Sequence, residues 1–95
     1  MSLIFEWDDN KAEENLKKHY VSFDEAKTVF NDPLARISDD SEHSYLEERF
    51  HIIGQSINNR IIIVAFTERN DKIRIISARK AESWEKRKYE QYSDK

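Results

Sequence analysis

Glu48-Arg49-Phe50-His51-Ile52-Ile53-Gly54-Gln55-Ser56, Arg60-Ile61-Ile62-Ile63-Val64-Ala65-Phe66-Thr67 and Lys72-Ile73-Arg74-Ile75-Ile76-Ser77-Ala78 follow one another, separated by Ile57-Asn58-Asn59 and Glu68-Arg69-Asn70-Asp71. All three runs are rich in isoleucine, whose branched β-carbon suits a pleated surface. Asparagine tolerates left-handed backbone angles, so both joints can close hairpins and the three runs form an antiparallel meander. Residues 61–66 show no alternation of apolar and polar side chains. A strand of that kind is covered on both faces, which predicts a central place in the sheet.

Outward from the meander, Leu3-Ile4-Phe5-Glu6-Trp7 reads as a short strand with Phe5 and Trp7 partly against the core. Asp8 or Asp9 caps a helix that runs to about His19 and buries Ala12 and Leu16. Ser22 and Glu25 have the spacing of a capping box, with Val21 and Ala26 as its hydrophobic staple. Phe23, Ala26, Val29 and Phe30 share one face of this second helix, which ends at Asn31-Asp32-Pro33. The two helices meet at a tight corner near Tyr20. Leu34 to Ser38 is another short strand, and residues 39–45 form a polar connection too charged to be buried. The last helix spans Ala81 to Tyr92, with Ala81, Trp84 and Tyr92 facing inward and Glu82 and Lys86 paired at helical spacing. Its apolar face is narrow, so it is held lightly. The expected class is α+β, with one domain over residues 1–95.

A chain of 95 residues has room for one core. Charged residues make up 37% against about 25% in an average domain, which predicts a soluble protein. No apolar run approaches the roughly 20 residues of a membrane helix and no charged-then-apolar leader stands at the start, so transmembrane, secreted and lipid-anchored readings fall away. The absence of cysteine removes disulfides, thiolate chemistry and cysteine-bound zinc, and makes the cytoplasm the expected compartment. The net charge of −3 hides a split. Residues 1–59 hold six basic and thirteen acidic side chains, and residues 60–95 hold ten and six. A basic second half predicts a docking surface for an anionic partner, unless folding interleaves the halves and cancels the field.

His19, His43 and His51 form no helical metal pair, and Gly54, the sole glycine, cannot build a phosphate loop. What remains is a set of arginines. The meander predicts that Arg74 projects with Lys72 and Ile76, that Arg79 stands just past the strand end, and that Arg69 lies in the adjoining turn. Glu48, Arg49 and His51 begin the partner strand; Lys86, Arg87 and Tyr89 lie on the last helix. A strand arginine is costly unless its guanidinium meets water, a carboxylate or a phosphate. Either Arg74 and Arg79 pair with Glu48 or Glu68, at about 0–1 kcal/mol each, or they line a groove for a phosphodiester backbone and stabilise charge on a pentavalent phosphate. Glu48, His51 and Tyr89 are the available proton-transfer groups. Trp7, Trp84, Tyr45 and Tyr92 are candidates to stack on bases, with core or edge packing the favoured alternative for the two tryptophans.

Phe5-Glu6-Trp7-Asp8, Asn15-Leu16-Lys17-Lys18-His19 followed by Val21-Ser22-Phe23, Glu48-Arg49-Phe50, Thr67-Glu68-Arg69 and residues 73–79 together resemble the BrnT family of ribonuclease toxins, from Phe5 to about Tyr89. The resemblance implies a RelE-like fold and RNA cleavage without a metal or other cofactor. It also implies inactivation by a BrnA-like ribbon-helix-helix antitoxin. Toxin and antitoxin would form a heterotetramer that reaches operator DNA only through the antitoxin. The carry-over reaches Glu48, Arg69, Arg74, Arg79, Lys18, His19 and, at the final helix, Tyr89. Relatives commonly have Lys-His-Gly where this chain has Lys18-His19-Tyr20, so a left-handed position at Tyr20 would cost roughly 1 kcal/mol. Family toxins are also commonly basic, whereas this chain is acidic overall.

The expected chemistry is attack of the RNA's own 2′-hydroxyl on the adjacent phosphorus. Arg74 and Arg79 hold the phosphate beside Arg69, Glu48 or His51 takes the proton, and Tyr89 or Lys18 protonates the leaving oxygen. Lys18, His19, Lys86 and Arg87 would contact RNA. The competing class is a non-catalytic module whose basic sheet face accepts an acidic or amphipathic partner segment. Direct DNA binding is the weakest reading, with no helix-turn-helix corner or ribbon arm in view. The nuclease reading needs guanidinium groups from separate segments to converge over one concave surface, not each locked by its own acidic neighbour.

Overall fold

In a computed structural model, residues 3–45 and 47–93 are described, the side chains of Tyr92 and Ser93 excepted. The isoleucine-rich runs become β3 (Arg49–Gln55), β4 (Ile61–Arg69) and β5 (Lys72–Lys80). They are flanked by β1 (Phe5–Glu6) and β2 (Arg36–Asp39) in a five-stranded sheet of order β1-β5-β4-β3-β2. β4 is central, as its unbroken apolar run requires. The sheet is mixed, because β1 runs parallel to β5 through Phe5 opposite Ile73 and Glu6 opposite Arg74. The second hairpin is tighter than expected. Asn70 and Asp71 both have positive φ, 51° and 65°, so a two-residue turn suffices and Arg69 lies at the end of β4 opposite Lys72.

One register irregularity shapes both sides of the sheet. Phe66 faces Ile75 while its neighbour Ala65 faces Ser77, so β5 carries one extra residue, Ile76. Regular alternation would put residues 74 and 79 on opposite faces. The bulge instead sets Arg74 opposite Thr67 and Arg79 opposite Ile63, two β4 residues on the same face. It also brings Ile75 and Ala78 together on the other face, where both are buried against Val64 and Phe66. Arg79 therefore lies within β5, not past its end, and Ile76 does not share regular alternation with Arg74.

Two helices cover the core face. α1 (Asp9–His19) is capped by Asp8, whose carboxylate accepts from the amides of Asn10 and Lys11. The buried residue of α1 is Asn15, whereas Leu16 is 48% exposed, contrary to the apolar reading. Along its upper half β5 has no strand beyond it, and Asn15 supplies the missing partner. Its amide donates to the Ala78 carbonyl at 2.9 Å and accepts from the Ala78 amide at 3.1 Å, and it also donates to the Val21 carbonyl. Polar backbone at a covered sheet edge has to be paired, and a leucine could not do it. The chain turns at Tyr20, which takes a left-handed conformation with φ 59°.

α2 (Phe23–Thr28) starts at Ser22, whose hydroxyl accepts from the Glu25 amide at 3.0 Å, and a single 3₁₀ turn, Val29–Asn31, continues it. Val21, Phe23, Ala26 and Val29 are buried with Ile52, Ile62, Val64, Phe66, Ile75 and Ala78. Phe30 bridges edge-on to Phe5 and Phe66, and Trp7 to Phe23. Only half of the capping box forms, because the Glu25 carboxylate turns to Arg60 and to the Ser56 hydroxyl. Residues 39–45 include a 3₁₀ turn, Ser41–His43, and bury Asp40 despite their charge. α3 (Ser83–Ser93) crosses the opposite sheet face; among its described side chains Tyr89 is the buried one, while Trp84 is 57% exposed rather than inward. The predicted Tyr92 side chain lies outside the described residues. Among the described residues no helix is long and apolar enough to cross a membrane.

Arg60 hydrogen bonds hold the buried Glu25 carboxyl below its ordinary value of 4.5, against the opposing effect of desolvation and with help from Ser56 and Asn58. A lowered folded value means stability that is present above pH 4.5 and lost as pH falls through the folded value. Arg60→Ala leaves the carboxylate buried and unpaired and should cost about 3 kcal/mol at pH 7 in chemical denaturation. That deficit should shrink as pH falls through the lowered folded value, where wild-type Glu25 also protonates.

Candidate active site

The face of the sheet opposite α1 and α2 is a concave strip. Register places Arg36 and Ser38 of β2, His51 and Ile53 of β3, Ile63 and Ala65 of β4 and Ser77 and Arg79 of β5 side by side on it. α3 roofs one end with Trp84, Glu85, Lys88 and Tyr89, leaving a groove of about 370 Å³. A small cleft of about 60 Å³ adjoins it and is lined by His19, His51, Ser77 and Arg79. His19 reaches there because it follows Asn15 by one helical turn, and Asn15 is pinned to the edge of β5.

At the other end of the strip lie Arg49, Arg69 and Arg74. Arg49 and Arg74 both flank Thr67, whose hydroxyl donates to the Glu48 carbonyl at 2.6 Å. Tyr45, 86% exposed, His43 and Glu47 close a second hollow over Arg49 and Arg69. Arg49 Nε is buried and, among the described residues, has no hydrogen-bond partner.

The guanidinium groups converge on one face, but they are not free. Arg79 makes a two-pronged pair with Glu85 of α3, at 2.8 and 3.0 Å. Arg69 meets Glu47 at 3.0 Å and Arg74 meets Glu6 at 3.6 Å. These carboxylates are not the expected Glu48 and Glu68. The Arg79 guanidinium holds Glu85 below the usual carboxylate range, against desolvation, and Arg69 does the same for the half-buried Glu47. The pairs from Arg60, Arg69 and Arg74 each join the basic second half of the chain to its acidic first half. Folding therefore interleaves the halves, and the expected basic surface is largely self-neutralised.

Of the residues singled out from sequence, His51, Arg79, His19 and Tyr89 line the groove or its cleft, and Arg74 and Arg69 stand further along the same face. Lys18 borders a shallow hollow beside His19. Glu48 is exposed ahead of β3, and Lys86 and Arg87 are exposed on α3, where Lys88 is the basic residue in the groove wall. Tyr89 donates its hydroxyl to Asp32, which also accepts from the amides of Gln55 at 2.7 Å and Leu34 at 2.9 Å. Burial pushes Asp32 up, but these three donors outweigh it and hold the carboxyl low. Gly54 makes the contact possible, since a β-carbon there would lie 3.1 Å from Asp32 Oδ2 and 3.0 Å from Ala35 and Val29. Tyr89 is thereby the bolt of α3. Sequence reasoning missed Asp40, whose buried carboxylate lies 3.3 Å from His51 Nε2 and 3.1 Å from His43 Nδ1. Its position in a charged run carried no burial signal.

The sequence model described as "Ribonuclease toxin, BrnT, of type II toxin-antitoxin system" matches residues 7–85. The chain belongs to the BrnT family. It is similar to the crystal structure of the Brucella abortus ribonuclease toxin BrnT, with a TM-score of 0.66 at 22% identity, over 86% of this chain and 100% of that one. Among curated proteins no sequence relative is found.

Glu85→Gln keeps an acceptor for the Glu82 amide, which Glu85 caps at 2.8 Å, and removes the charge held by Arg79. The variant should bind single-stranded RNA about tenfold more tightly in a filter-binding or anisotropy titration, with the gain reduced at high salt.

Proposed function

We propose that this chain is a metal-independent endoribonuclease whose reaction centre is the His19–His51–Arg79 cleft. The observation that carries the reading is the meeting of two imidazoles and a guanidinium from α1, β3 and β5 at one small concavity. An incoming RNA phosphate takes the place of the Glu85 carboxylate, whose two-pronged geometry and single negative charge on Arg79 it reproduces, and a second charge develops as the pentavalent phosphorus forms. His51 accepts the 2′-hydroxyl proton as that oxygen attacks phosphorus. The bond from phosphorus to the 5′ oxygen then breaks, and His19 supplies the proton to the leaving oxygen. Arg79 stabilises the charge that builds on the phosphate in between. The products are a 2′,3′-cyclic phosphate and a free 5′-hydroxyl. Tyr89, committed to Asp32, holds α3 in place of the acid role expected of it, and Arg74 and Arg69 steer the adjoining nucleotides. Metal independence belongs to the proposal because the cleft itself offers a base, an acid and a cationic group.

The partner follows from the family. A BrnA-like ribbon-helix-helix antitoxin would restrain the toxin in a cytoplasmic heterotetramer and carry it to operator DNA. One observation favours a second reading, a non-catalytic docking module: Arg69, Arg74 and Arg79 each already have a carboxylate. Induced expression separates the two, since only a nuclease arrests growth.

Arg79→Ala should lower the thermal midpoint, because Glu85, 11% exposed, loses its cationic partner, but the variant should still fold, and cleavage should fall by at least a hundredfold. Wild-type cleavage should persist in EDTA and yield fragments ending in cyclic phosphate. A magnesium requirement, or full activity in Arg79→Ala, counts against this mechanism.

A further inference from the structure

The strongest feature that the reaction above leaves unused is Asp40. It is 8% exposed in a stretch whose sequence is almost wholly polar, and it is tied at both ends. Its amide donates to the Arg49 carbonyl at 2.9 Å, and its own carbonyl accepts from the Ser44 hydroxyl at 2.7 Å. Its side chain faces two imidazoles. His43 Nδ1 lies 3.1 Å from each carboxylate oxygen, and His51 Nε2 lies 3.3 Å from Oδ2. His51 is the one of these two that lines the groove.

A buried carboxylate is a costly thing to keep unless it has hydrogen-bond donors. An imidazole has one N–H when neutral, and a carboxylate facing one ring nitrogen selects the tautomer that carries the proton there. We infer that Asp40 is a positioning residue for His51: it holds the ring as the Nε2–H tautomer and leaves the Nδ1 lone pair as the base that takes the 2′-hydroxyl proton. This deepens the proposed reaction and rests on His51 being its base. Asp40 touches neither substrate nor phosphorus, so its effect reaches the reaction only through the ring. The other charged groups lining the groove and cleft with His51 are Arg36, Arg79, Glu85 and Lys88, together with the imidazole of His19. Glu85 is committed to Arg79, so among the described residues Asp40 is the carboxylate that forms an ion pair with the ring, at 3.3 Å.

The test combines long-range proton–nitrogen NMR with a two-residue kinetic cycle on the full chain. In the wild-type protein at a pH where the ring is neutral, His51 should carry its proton on Nε2, and that proton should be slow to exchange. A wild-type His51 protonated on Nδ1 overturns the inference whether or not any variant folds. Asp40→Asn should lower kcat at least tenfold while KM for RNA stays within twofold, and it should shorten the lifetime of the Nε2 proton. In a His51→Ala background the same substitution should change cleavage less than twofold. A tenfold further loss in that background would show that Asp40 acts on structure or through another group, and would overturn the inference. Full activity of His51→Ala sinks the assignment of His51 as base, whereas the NMR arm still reads what Asp40 does to the ring.

Discussion

A single extra residue in β5 governs this molecule. With Ile76 bulged opposite the Ala65–Phe66 step, Ile75 and Ala78 both enter the core while Arg74 and Arg79 both leave it. Side-chain direction in a strand has a period of two, so a one-residue insertion inverts everything beyond it. Without the bulge, an arginine at position 79 would share a face with Ile75, against the helices, and Ala78 would face the groove. Core packing and site chemistry therefore depend on the same local geometry, which is the usual place for sheets to re-aim a functional side chain.

The charge distribution follows a second economy. In a chain so rich in ionic groups, Arg69, Arg74 and Arg79 each find a carboxylate close by. The pair between Arg79 and Glu85 differs from the others because Glu85 belongs to α3, which also roofs the groove. The resting groove thus holds an internal anion where the proposed substrate phosphate belongs. α3 is tied to the sheet by that pair and by the Tyr89 hydroxyl on Asp32, a carboxylate seated against Gly54 and therefore close to the sheet backbone. An acidic toxin of this family is consistent with a phosphate-binding site once the competing anion is supplied by the protein itself.

Asn15 and Asp40 show how polar side chains escape a reading based on apolar periodicity. On α1 the stripe suggests Leu16, but the neighbouring surface is the open edge of β5, where an amide that both donates and accepts outcompetes a larger apolar group. In residues 39–45 the density of charge suggests a solvated connection, yet the buried Asp40 carboxylate faces two imidazoles and its backbone carbonyl accepts from the Ser44 hydroxyl. The capping box at Ser22 was legible, but only half was built, because Arg60, 35 residues later, binds the Glu25 carboxylate more strongly than the helix end can.

By itself the sequence determined the class of fold. An unalternating isoleucine strand must be central, asparagines at both joints allow hairpins, and capping residues start the first two helices; each of these is a local property of a few neighbours. It also carried the ordered motifs that place the chain among BrnT toxins. The tertiary structure alone decided which face each arginine takes, which acid it meets and which histidine is backed by a carboxylate. Those outcomes turn on one bulged residue and on contacts between segments far apart in the chain, and neither leaves a periodic trace in composition or spacing.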